Sequence, residues 1–111
     1  MTTHVMTSHG ADFFGEDHHP VKLLRDLGQQ VRGVLPYAEL PPLTQLLDSA
    51  GAGPVTLLPD RAADVSALFL AAANHRLMKP KFAAAARLLA DAAARAAADD
   101  EPWTWTPTDE S

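Results

Sequence analysis

The sequence predicts a predominantly helical α+β domain, and three observations carry that prediction. Apolar residues recur at three- and four-residue spacing in four stretches, a proline stands near the start of each, and two short β-favouring runs, Thr2–Ser8 and Val55–Leu58, lie between or before them. An isolated strand leaves its backbone groups unpaired, so the two runs are expected to pair with each other as a minimal two-stranded ribbon.

From Pro20, Val21, Leu24, Leu27, Val31 and Val34 share one helical face, with Lys22, Arg25, Gln29 and Arg32 elsewhere, which predicts a helix to about Leu35. Pro36 ends it. Pro41 and Pro42 open a shorter helix with Leu43, Leu46, Leu47 and Ala50 on its apolar side, closed by Gly51. A third helix runs from Pro59 to near Met78 with Val65, Leu68, Phe69, Ala72 and His75 on one face. The fourth starts at Pro80 and carries Phe82, Ala85, Ala86, Leu89, Ala92, Ala93 and Ala96. Its face is largely alanine, which has high helix propensity but buries little area, so it favours close approach of a second helix. Helices three and four are therefore expected to pair antiparallel. Gly10 to Pro20 lacks any period and reads as a loop anchored by Phe13 and Phe14.

At 111 residues the chain fits one domain, assigned to residues 1–107, with a flexible tail over 108–111. Apolar residues at 47% and charged residues at 21% match ordinary globular usage. Cysteine is absent, which removes disulfides, thiolate ligands and cysteine nucleophiles and makes the cytoplasm the expected compartment. The first twenty residues hold no Lys or Arg and no long apolar run, so no export signal is expected. The longest apolar stretch, Ala67 to Ala73, falls far short of the roughly 20 residues a membrane-crossing helix needs.

The net charge of −5 is unevenly spread. Residues 1–20 carry −3, residues 21–98 hold all nine bases against six acids, and the segment from Asp99 onward carries five acids and no base. Acidic ends oppose generic binding to a phosphate backbone, so nucleic acid is an unfavoured partner.

Histidine is concentrated at His4, His9, His18 and His19 beside Asp12, Glu16 and Asp17, a donor mixture able to hold zinc or nickel. The spacings match no metal motif, and a solvated loop accounts for them equally. His75, Arg76, Lys79 and Lys81 gather around the joint of helices three and four. They form either an anion pocket or the cations that a helix C-terminus attracts. No serine lies in a Gly-x-Ser-x-Gly context, and Gly51-Ala52-Gly53-Pro54 lacks the Lys and Ser/Thr of a phosphate loop, so no catalytic residue and no cofactor is expected. Trp103 and Trp105 alternate in an extended, proline-bounded tail and share a side. Each ring buries about 150–250 Å² when enclosed, so the pair either clasps the shallow alanine groove or waits for a partner.

Leu88-Leu89-Ala90-Asp91-Ala92-Ala93-Ala94, leading into Pro102-Trp103-Thr104-Trp105, resembles small, alanine-rich bacterial proteins grouped as a domain of unknown function. Ser8-His9-Gly10-Ala11-Asp12-Phe13-Phe14-Gly15 is a second similar segment. The resemblance implies no activity, cofactor or site. The function expected from the residues is a non-catalytic cytoplasmic interaction or regulatory protein, binding a protein partner or itself through the alanine face. The alternative is a small-ligand, anion or metal-binding domain at the His-rich segment or the His75–Lys81 joint. A third reading is a DNA-binding regulator using Lys22, Arg25 and Arg32.

Overall fold

The computed structural model describes residues 3–11 and 15–109. The elements in chain order are β1 (His4–Ser8), β2 (Glu16–Pro20), α1 (Val21–Arg32), a 3-10 turn (Tyr37–Glu39), α2 (Leu40–Asp48), β3 (Val55–Leu57), α3 (Pro59–Ala73), α4 (Pro80–Ala98) and β4 (Trp103–Thr108). Phe13 and Phe14, the expected loop anchors, lie outside the described residues.

The strands form one four-stranded antiparallel sheet in the order β2-β1-β4-β3, which corrects the expected two-stranded ribbon. Both expected strands exist, but they do not pair with each other: β4 lies between them, and β2 extends the other edge. The segment expected to be an extended tail is β4: its alternation of tryptophan and threonine suits a strand with one buried face, and the register Thr7↔Trp105↔Val55 places it inside the sheet. Pro107 fits because β3 reaches only as far as Trp105, leaving β4 a single neighbour at that level. β2, Glu-Asp-His-His-Pro, has no β-forming residue and replaces part of the expected loop. Its one strand partner is β1, in the edge position where charged residues and proline are tolerated. Gly10, just past β1, lies close against β2: a Cβ there would meet the Asp17 amide nitrogen at 2.4 Å.

The inner sheet face carries Val5, Thr7, His19, Trp103 and Trp105, all buried. The two indoles meet edge to face, with centroids 5.5 Å apart, and the Trp103 Nε1–H donates to the Ser8 carbonyl at 3.0 Å. α4 lies across β1 and β4 on this side, and α1 packs against β2 and α2. α3 and α4 form the most extensive pairing of elements. Their small side chains let the backbones close up so far that the Ser66 hydroxyl on α3 donates directly to the Ala90 carbonyl on α4, at 2.7 Å. Arg87 of α4 reaches the last turn of α3, donating to the Ala73 carbonyl at 3.5 Å and Asn74 Oδ1 at 3.4 Å.

α3 stops at Ala73 instead of continuing to Met78. The His75 ring accepts the Leu77 N–H through Nδ1 at 3.1 Å, a local bond that competes with another helical turn. α2 closes as its sequence suggests, with Gly51 just beyond it at φ 84°, a left-handed conformation that suits glycine.

Candidate functional site

Alternation along the strands separates the four N-terminal histidines. His18 pairs with Met6 and so lies, with His4, on the outer sheet face, whereas the adjacent His19 points inward beside Val5. His9 follows the end of β1 and belongs to neither face. Among the described residues, the one group of three or more donors within reach of one another contains a single histidine, His9, set against two carboxylates from the α4–β4 connection. His9 Nε2 lies 3.2 Å from Glu101 Oε1, and donor atoms of His9, Asp99 and Glu101 all fall within 4.8 Å of one another. Nδ1 of the same ring is 2.9 Å from Ser8 Oγ, which accepts the Thr104 N–H at 3.0 Å. The Arg95 guanidinium donates to the His9 carbonyl at 3.0 Å. His9 and Asp100 both take left-handed backbone, φ 59° and 54°, so each flank of the cluster turns sharply.

His19 is 3% exposed, and its Nε2 has no hydrogen-bond partner. Burial pushes its pKa below the ordinary histidine value of 6.5, Asp17 pulls the other way, and His18 adds to the depression. Above that ordinary value the ring is neutral both folded and unfolded, so it adds no pH dependence to stability. As pH falls through it, the unfolded chain takes a proton that the folded chain resists, and stability drops until the depressed folded pKa is passed. Urea midpoints are thus expected to fall between pH 7.5 and pH 5, and His19→Gln is expected to flatten that decline. An equal slope in wild type and variant would remove His19 as its cause.

The other expected site residues differ in their exposure. Arg76, Lys79 and Lys81 are exposed and His75 is half-buried. Lys81 turns to a shallow cleft with Pro20, Lys22, Leu23 and Asp26, and its Nζ lies 5.3 Å from the Phe82 ring centroid. Trp103 and Trp105, at 0% and 1% exposure, are enclosed within the folded domain. The three cations of the DNA-binding reading each hold an intramolecular contact: Lys22 with Asp26 at 3.3 Å, Arg25 with the Ala50 carbonyl at 3.3 Å, and Arg32 with Asp48 at 2.6 Å.

A residue that the sequence reading passed over marks the most distinctive surface. Tyr37, in the 3-10 turn between α1 and α2, is 89% exposed, whereas Phe69, Phe82, Trp103 and Trp105 are all buried. It borders an open cleft of about 480 Å³ shared with Arg32, Leu40, Pro41, Thr44 and Gln45. The available signal was a large aromatic in Pro36-Tyr37-Ala38-Glu39, where no helical or strand period assigns it to a core.

Among the described residues, no helix is long and apolar enough to cross a membrane. No curated protein and no solved structure matches the chain. A family model described as a domain of unknown function (DUF7739) matches residues 10–106. That span begins one residue after His9 and takes in the Tyr37 cleft, all four helices and both tryptophans, and the chain belongs to this family.

Proposed function

We propose that the domain is a non-catalytic protein-interaction or regulatory module of the cytoplasm, and that it docks a partner through the cleft at Tyr37. The observation that carries this reading is the 89% exposure of Tyr37 in a chain that buries its other described aromatics. Tyrosine is enriched where partner proteins bind, because a large side chain with few rotatable bonds loses little entropy when it is covered. Leu40 and Pro41 supply an apolar floor, while Thr44 and Gln45 supply polar edges. Asp48 neutralises Arg32, so the cleft presents little net charge. An apolar segment of a protein partner suits it better than an acidic one. The absence of cysteine supports the reducing compartment.

Tyr37→Ser tests the reading. So exposed a side chain contributes little to folding, so urea stability is expected to change by less than about 0.5 kcal/mol. Partner retention in a pull-down from the native cell is expected to fall at least tenfold, as loss of a central aromatic costs about 2 kcal/mol or more of binding. Undiminished retention would refute the site.

A further inference from the structure

We propose that His9, Asp99 and Glu101 form a binding site for a divalent transition-metal ion of the zinc type, with His9 Nε2 and one oxygen from each carboxylate as donors. The site is separate from the Tyr37 cleft, and the proposal stands or falls independently of the docking reading.

The chemistry of the His9–Glu101 contact is the starting point. A neutral imidazole nitrogen with a free lone pair and a carboxylate oxygen repel each other at 3.2 Å, so that contact requires a positive centre between them: a proton on Nε2, or a metal ion. A proton serves Glu101 alone. Asp99 sets a second carboxylate within 4.8 Å of both atoms, and among the described residues no side-chain hydrogen bond or ion pair engages that carboxylate. Arg95, the cation at this corner, donates instead to the His9 carbonyl. One ion at the centre satisfies all three groups.

The distances suit that ion. Tetrahedral zinc with bonds of about 2.0–2.1 Å holds its ligand atoms about 3.4 Å apart. The His9–Glu101 separation of 3.2 Å is already there, and closing the rest of the triangle requires a movement on the order of 1 Å by an exposed aspartate. With its proton on Nδ1, the ring donates to Ser8 Oγ at 2.9 Å, and Nε2 then offers its lone pair to the site. Second partners of this kind fix the orientation of metal-binding histidines. The donors come from the two ends of the chain, so a bound ion would tie the end of β1 to the start of β4 and stabilise the sheet.

Zinc titration by calorimetry, combined with melting curves, tests the proposal. Wild type is expected to bind one Zn²⁺ and to gain about 10–12 °C in Tm at a hundredfold excess over Kd. His9→Asn keeps a residue that tolerates left-handed backbone while removing the donor nitrogen. His9→Asn, Asp99→Asn and Glu101→Gln are each expected to weaken Kd at least tenfold. His4→Gln and His18→Gln, on the outer sheet face, are expected to leave it unchanged. The absence of binding at millimolar zinc would overturn the proposal, as would binding that survives His9→Asn or disappears with His18→Gln. Circular dichroism of each variant without metal confirms that it is folded.

Discussion

Trp103→Ala is expected to destabilise the domain by about 3–5 kcal/mol, the usual cost of removing a large buried aromatic. For a chain of 111 residues that is a large part of a total stability on the order of 5–15 kcal/mol. The effect combines three losses. The ring is fully buried, it stands edge to face against Trp105, and its N–H satisfies the Ser8 carbonyl, which would remain without that donor. Because β4 is an interior strand, deleting residues 102–111 is expected to have a larger consequence and abolish cooperative unfolding: β3 loses its one partner strand and β1 loses one of its two. A clear urea transition in the truncated chain at an unchanged midpoint would show that β4 is not integral to the sheet.

Ala86→Leu is expected to cost about 1–3 kcal/mol by the opposite mechanism, overpacking. Ala86 is fully buried and lies one helical turn from Ala90, whose carbonyl receives the Ser66 hydroxyl at 2.7 Å. A leucine there forces the α3 and α4 backbones apart, stretching that bond and the Arg87 contacts at the end of α3. Ala94→Leu, on the exposed side of the same helix, is expected to change stability by less than about 0.5 kcal/mol. Equal effects at the two positions would contradict close packing of the helical pair.

These expectations show which parts of the fold were legible from local pattern. The four helices were, because the spacing of Val21, Leu24, Leu27 and Val31, or of Phe82, Ala86, Leu89 and Ala93, encodes a buried face without reference to the rest of the chain. Alternation at Trp103 and Trp105 likewise gave their common side. The pairing partners were not legible, because β4 meets β1 across almost the whole length of the chain and nothing local to either segment specifies the other. β2 was invisible for a different reason: tertiary pairing alone makes a strand of Glu-Asp-His-His-Pro. The same division governs the candidate sites. The His-rich segment attracted attention to His9 through residue type, but Asp99 and Glu101 join it only in three dimensions. Tyr37 has no periodic neighbours, so its exposure follows from the path of the turn between α1 and α2.

The docking reading is tested most directly by a photo-crosslinking amino acid placed at position 37 in the native cell, with the same residue at exposed Ala63 as the control. The account predicts one discrete adduct from position 37, with a mass other than twice that of the chain, and none of that mass from position 63. No adduct, the same adduct from both positions, or only an adduct of twice the chain mass would contradict it.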